Sequence, residues 1–367
     1  MASVAATARS DRAQVVIGVD THKDVHVAAA LSALGVLLEV FEFPSTRAGT
    51  AAVRVWAAGL GEVLTWGVEG TGSWGAGLAR GLRAADEHVV EVNQVQRHTR
   101  RMLGGKSDPR DAEAAARAVL AGFATATPKS GDGPVEQIRI IRAARSSAVK
   151  ARTAAMNQLK ALIVTAPETL REELTGLTPA ALISRCAGLR PAGSDLTSTL
   201  KRALRALARR HKDLSAEIKA HTTELTELIT LVAPALLSEH GVGPDCAAAL
   251  LITAGDNPHR LRNEAAFAAL CGTSPIPASS GQRHRHRLNR GGDRQANAAL
   301  HRVVISRLAN HPPTRAYMSA HVAPNGANKM HTIRCLKRYL ARHLYPLILA
   351  ATTNPAESSP QPALITP

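Results

Sequence analysis

Four acidic residues, Asp20, Glu69, Asp108 and Asp111, stand where carboxylates could converge. Asp20 ends the apolar run Val15-Val16-Ile17-Gly18-Val19-Asp20, and Glu69 ends a second, Val63-Leu64-Thr65-Trp66-Gly67-Val68-Glu69. Both runs have the make-up of buried strands. Asp108 and Asp111 open an Ala-rich segment, Asp108-Pro109-Arg110-Asp111-Ala112-Glu113. Proline suits a first helical turn, and residues at i and i+3 share a helix face. Two strand ends and one helix face can therefore meet at one point. Four carboxylates there repel one another unless they hold divalent metal. Paired Mg²⁺ ions about 3.5–4 Å apart are the usual device for displacement at phosphorus, so the expectation is a phosphodiester-cutting enzyme. Asp24, Glu62 and Glu113 compete for the role and are expected to be solvated. Lys106 could orient a phosphate, and Ser107 is placed to cap the helix that follows.

A second constellation is Ser274-Pro275-Ile276-Pro277-Ala278-Ser279-Ser280-Gly281-Gln282, followed by Arg283-His284-Arg285-His286-Arg287. A serine can attack a phosphodiester and become joined to DNA if its proton is removed and the phosphate charge is neutralised. Gly281 permits close backbone approach, and the Arg/His run suits phosphate contact. The same composition also suits an ordinary loop, and the residues alone favour that reading. Arg290, Arg294, Arg302 and Arg307 continue the positive field into an expected helix.

The elements that must position these groups follow from the pattern. Strands are expected over 14–20, 25–31, 36–42, 63–69 and 88–92, and helices over 47–60, 74–86 and 108–121. Three early strands followed by strand–helix alternation describe a mixed sheet flanked by helices. Residues 128–134 form a Pro/Gly linker. A mainly helical stretch follows, interrupted around 165–200 by Pro167, Pro179 and Pro191. Its second arm carries Leu204, Leu207, Leu214, Ile218, Leu225, Leu228 and Val232 at alternating steps of three and four, with His211 and His221 filling two seam positions. That is the pattern of a coiled coil or antiparallel helical pair, whose partner is either the 135–162 arm or another protomer. Near residue 240, Gly241-Val242-Gly243-Pro244 before Asp245-Cys246-Ala247 resembles a helix-hairpin-helix, which offers backbone N–H groups to a DNA phosphate. Residues 1–13 and 353–367 are expected to be disordered.

The 367 residues carry a formal net charge of +16, which calls for a polyanionic partner. No apolar run approaches the roughly 20 residues that span a bilayer, and no apolar signal core opens the chain. Cys186, Cys246, Cys271 and Cys335 lack Cys-x-x-Cys pairing, against a zinc site or a disulfide framework, and suit a cytoplasmic protein. Aromatic residues are only 3%, against a single-strand binder built on aromatic platforms.

Gly18-Val19-Asp20-x-x-Lys23, Val68-Glu69-x-Thr71-Gly72, Lys106-Ser107-Asp108-x-x-Asp111-Ala112 and the Pro275-to-Gly281 segment occur in that order. From residue 14 to about 345 the chain resembles the DEDD transposases of bacterial insertion sequences, the IS-one-ten family. The resemblance implies a ribonuclease-H-like (RuvC-like) α/β domain over 14–127, a helical coiled-coil region over 135–235 and a mainly α C-terminal domain over 236–350. It implies that Asp20, Glu69, Asp108 and Asp111 bind Mg²⁺, two ions in number and replaceable by Mn²⁺. It implies that Ser280, the serine directly before glycine, is the nucleophile. Lys106, Arg283, Arg285, Arg287, Arg290 and Arg294 would contact nucleic acid. The implied partners are donor and target DNA, a noncoding bridge RNA that pairs with both, and further copies of the chain, as a dimer assembling to a tetramer; a membrane is not among them. Ser107 stands where Thr is frequent, and Asn297 where many members carry Arg, so no catalytic role falls to Asn297. The rival expectations are a junction-cutting metal endonuclease that uses water as nucleophile, and a basic nucleic-acid-binding protein without activity.

Overall fold

The computed structural model describes residues 13–93, 107–281, 286–322 and 328–352. The expected disordered termini and Lys106, Arg283 and Arg285 lie outside them. The chain packs into two compact units, Met1–Gly131 and Asp132–Pro367.

The first unit is built on five strands: β1 (Gln14–Thr21), β2 (Val25–Ser32), β3 (Leu37–Pro44), β4 (Glu62–Glu69) and β5 (Val89–Val92), in the order β3-β2-β1-β4-β5. The β1–β2 and β2–β3 pairs are antiparallel, the β1–β4 and β4–β5 pairs parallel. Each expected strand is present, and its helices are α1 (Arg47–Leu60), α2 (Ala76–Arg83) and α3 (Asp108–Leu120). This mixed sheet with a helical remainder fits a ribonuclease-H-like first unit.

Side chains alternate across a sheet, and the alternation decides what each face meets. Val15, Ile17, Val19, Trp66 and Val68 share a core with Val53 and Ala57 of α1 and Leu78 and Leu82 of α2. The other face takes α3, where Val16 and Leu31 pack on Ala116. Contact there is very close: a Cβ on Gly18 would lie 2.2 Å from Ala112 O and 2.2 Å from Ala116 N. A Cβ on Gly67 would lie 2.4 Å from Val119 Cγ2. Glycines in the sheet and alanines on α3 are what let the helix lie on the strands. The same alternation turns Asp20 and Glu69 toward the α3 face.

In the second unit, α4 (Pro134–Val164) and α7 (Leu196–Val232) run antiparallel. Val135 and Ile138 share a core with Leu225 and Ile229, while Leu159 and Ile163 share another with Leu204 and Ala208. At 1.5 Å per residue α7 is about 55 Å long. Between α4 and α7, α5 (Glu168–Leu174) and α6 (Pro179–Ala187) close the far end over Leu170, Leu182 and Cys186.

Leu204, Ile218 and Leu225 are buried in the seam of α7 as expected, and Leu207, Leu228 and Val232 pack half-buried against the same cores. Ala208 and Ile229, outside the expected set, are buried beside them. The midsection is polar, with Arg145 Nε donating to Thr222 Oγ1 at 2.8 Å.

The near end packs α8 (Pro234–Ser238), α9 (Pro244–Ala254), α10 (Glu264–Leu270), α11 (Arg294–Asn310), α12 (Pro312–Val322) and α13 (Lys329–Thr352) with the roots of α4 and α7. Short strands β6 (Ile276–Pro277) and β7 (His286–Arg287) form a hairpin. One carboxylate joins these parts: Asp245 Oδ1 takes Arg142 Nε at 3.2 Å and Arg145 Nη1 at 3.4 Å, and Oδ2 takes Arg302 Nη2 at 2.8 Å. Burial opposes ionisation of this carboxyl, but the guanidinium groups outweigh it and hold its pKa below the ordinary carboxylate value.

Two outcomes follow. Gly18→Ala sets a methyl against helix backbone that cannot yield, so it should destabilise the protein by about 1–3 kcal/mol, read by thermal melting. Asp245→Ala should cost about 3 kcal/mol, because it strands partly buried guanidinium groups. Since the folded pKa is depressed, the stabilisation is complete above about pH 4 and fades as pH falls. Asp245→Asn should therefore flatten the acid limb of a stability–pH curve.

Candidate active site

The parallel register sets Val19 opposite Val68, so Asp20 and Glu69 sit side by side at the ends of neighbouring strands. Thr21 Oγ1 donates to Glu69 O at 3.0 Å and ties the two ends together. Ser107 takes the N-cap position of α3 with extended backbone, but its hydroxyl makes no capping bond; its carbonyl accepts from Asp111 N at 3.0 Å. Asp108 and Asp111 occupy the first turn of α3, and Asp111 is only 5% exposed. Asp20, likewise buried, is 7% exposed. Close packing of α3 at Gly18 brings its first turn to the end of β1.

A residue that the sequence patterns did not single out lies between the two elements. His22 Nε2 is 3.2 Å from Asp20 Oδ2 and 3.5 Å from Asp108 Oδ1. One donor atom from each of Asp20, His22 and Asp108 lies within 4.8 Å of the others. The signal was available: His22 follows Asp20 by two positions, the spacing that returns to the same face of a strand. His26 holds this turn, its Nδ1 accepting from His22 N at 3.2 Å. Burial lowers the His26 pKa, which keeps the ring neutral and able to accept.

The competing acids are accounted for. Asp24 and Glu62 are exposed, and Glu113 is engaged by Arg117 at 2.5 Å. Oxygen-rich donors with one imidazole fit a hard divalent cation.

The second constellation lies in the second unit. Ser280 follows β6 in the hairpin loop and is exposed, with Gly281 at φ +55°. Arg287, Arg290 and Arg294 are exposed along β7, the next loop and the start of α11. Two of the three tyrosines are engaged elsewhere. Burial and Tyr339 push the Tyr317 hydroxyl up to about 12, and Tyr345 Oη donates to Leu261 O at 3.0 Å.

Residues 17–166 match the family of DEDD transposases of the IS110 type, and residues 233–319 match the transposase IS116/IS110/IS902 family. The chain belongs to the IS110 family of transposases. It is thus a DNA transposase, and its substrates are DNA. The first match contains all four carboxylates, and the second contains Ser280 and the arginines that follow it. No curated protein matches the chain. Among the described residues, no helix is long and apolar enough to cross a membrane.

Metal binding to a folded acidic site stabilises the protein by mass action, about 2.7 kcal/mol at a hundredfold excess over Kd. Adding Mg²⁺ or Mn²⁺ should raise the melting temperature of the wild type and leave that of Asp20→Asn unmoved. Equal shifts in the two proteins would remove the cluster as the binding site.

Proposed function

We propose that the chain is a site-specific recombinase of an insertion sequence, cutting and rejoining DNA with a metal-holding acidic face and a serine nucleophile. The observation that carries this reading is the placement of Asp20 and Glu69 on the sheet face covered by α3, beside the helix turn that bears Asp108 and Asp111. These four residues hold Mg²⁺, two ions being the expected complement and Mn²⁺ a workable substitute. Bound there, the metal neutralises charge on the phosphate and on the departing oxygen. His22 keeps Asp20 and Asp108 at a common distance.

Ser280 Oγ attacks phosphorus and gives its proton to water. An Oγ–P bond forms while the P–O bond to the adjoining sugar breaks, and that sugar oxygen takes up a proton. One phosphodiester is exchanged for another, so a strand hydroxyl can reverse the step and rejoin DNA without external energy. Arg283, Arg285, Arg287, Arg290, Arg294 and Lys106 clamp backbone phosphates. The Gly241–Pro244 turn, with Gly243 as N-cap of α9, supplies a further phosphate contact of helix-hairpin-helix type.

The functional domains are residues 14–127, 135–235 and 236–350. In keeping with the family resemblance, a noncoding bridge RNA selects donor and target by base pairing, leaving the protein to hold backbone shape. The α4–α7 arm mediates pairing of chains into dimers and tetramers in the bacterial cytoplasm. The acidic face of one copy then works with Ser280 of another.

Incubating the protein with Mg²⁺, element-end DNA and the flanking noncoding RNA should trap a covalent protein–DNA adduct in the wild type but not in Ser280→Ala. Metal-dependent nicks of equal yield in both, with no adduct, would assign the chemistry to water. Mixing Asp20→Ala and Ser280→Ala chains should restore activity; a mixture as dead as its parts would sink the shared site.

A further inference from the structure

The second unit contains a cleft of about 820 Å³ between residues 272–275, residues 286–294 and the faces of α11 and α13. Two glycines shape its wall: a Cβ on Gly292 would meet Gly272 N at 2.2 Å, so the two backbones lie against each other. Asp293 N donates to Leu270 O at 2.7 Å and Asn297 Nδ2 to Cys271 O at 2.9 Å, which fixes the wall in place.

The lining includes Arg287, Arg290, Arg294, Arg334, Lys337 and Arg338, and no carboxylate. Several arginines elsewhere in this unit are matched to acids: Arg142, Arg145 and Arg302 to Asp245, Arg307 to Glu239, Arg185 to Glu173. In the cleft only Arg338 is so matched, to Glu264 at 2.7 Å. Arg287, Arg290, Arg294 and Arg334 carry no ion pair among the described residues. The sequence offers them almost nothing to pair with, since Asp293 is the one acidic residue from Ala265 to Ala356. Its carboxylate is already used on Gln295 N, Ala296 N and Thr253 Oγ1.

Lys337 lies at the same wall, half-buried, with Nζ donating to the neutral Asn297 Oδ1 at 2.6 Å. Burial and the nearby Arg334 lower its pKa, so an arriving anion compensates a charge that the protein leaves uncompensated. Beside these cations lie apolar side chains: Leu288 and Met330 are each 49% exposed, and Ile333 is buried. Cations and apolar surface in one cleft match a phosphate and an unstacked base together. A volume in the small-molecule range admits roughly one or two unpaired nucleotides and excludes a duplex.

We propose that this cleft binds an unpaired stretch of nucleic acid, its phosphates on Arg287, Arg290, Arg294, Arg334 and Lys337 and a base against Leu288, Met330 and Ile333. The inference rests on the reading of the chain as a nucleic-acid recombinase and adds that this part of it takes single strands. Displaced DNA and guide RNA share the sugar-phosphate chemistry, and binding to each separates them.

The test is fluorescence anisotropy with full-length protein, short single-stranded DNA, the same sequence as RNA, and the matching DNA duplex, over a salt series without divalent metal. Arg334→Gln/Lys337→Met should lose roughly tenfold in single-strand affinity, and its log K against log salt should flatten by about 1.4, some 0.7 per lost phosphate contact. Duplex affinity should fall by clearly less than single-strand affinity. Arg290→Gln/Arg294→Gln, at exposed positions that packing does not constrain, should behave alike and guards against misfolding of the first variant. A loss confined to RNA or to DNA supports the cleft and names its strand. Equal loss on the duplex, or unchanged single-strand binding in the Arg290/Arg294 variant, overturns it. Because binding is read without metal or cleavage, this result stands apart from the adduct assay on Ser280.

Discussion

The close approach of α3 to β1 and β4 is the contact on which the rest of the first unit depends. Gly18 and Gly67 leave no side chain on the face that α3 covers, and Ala112, Ala115 and Ala116 leave almost none on the helix. Backbone can then lie nearly on backbone, and the helix has one position in which it does so. That position fixes where its first turn ends up. Asp108 and Asp111 reach the strand ends because Gly18 and Ala112 do not hold the helix away. A catalytic constellation needs placement to within about half an ångström, and small residues packed without slack provide it more rigidly than a loop could.

Much of this was legible in sequence because it follows a short period. The apolar runs that end at Asp20 and Glu69 gave strands with their acids at the ends, and Pro109 with the alanines gave α3. What the runs could not give was which face each residue joins, since strands buried on both sides look uniformly apolar. His22 was overlooked for a related reason: it falls one residue beyond β1, where a strand pattern stops but its geometry does not. In α7 an apolar count passes over Thr222, because a hydroxyl side chain carries no apolar signal. The polar midsection trades apolar contact for Arg145 and Thr222, a pairing visible only when both helices are in hand.

The arginines of the second unit divide by what they face, and the division separates structure from function. Arg142, Arg145 and Arg302 converge on Asp245, a carboxylate held ionised against its own burial. Guanidinium groups so used tie the root of the helical pair to the helices around it. In the cleft, Arg338 pairs with Glu264, but Arg287, Arg290, Arg294 and Arg334 have no such anchor among the described residues. Leaving several like charges together costs stability through mutual repulsion, and a fold tolerates that cost where a polyanion removes it. Net charge alone could not distinguish the two groups, because each arginine adds the same unit to the total.

Asn297 brings these arguments together. At position 297 this chain places an amide that donates to Cys271 O and Gly272 O and accepts from Lys337 Nζ. An arginine has donors only, so it could bond the two carbonyls but would repel the lysine. The amide satisfies both and leaves Lys337 as the cation at that point of the wall. The consequence is geometric: Lys337 presents one compact ammonium, fixed from one side by the amide, where a guanidinium would have offered a broad planar fork. A single phosphate oxygen suits the former and a bidentate phosphate the latter, so the grip of this chain on a strand is set by a side chain that carries no charge.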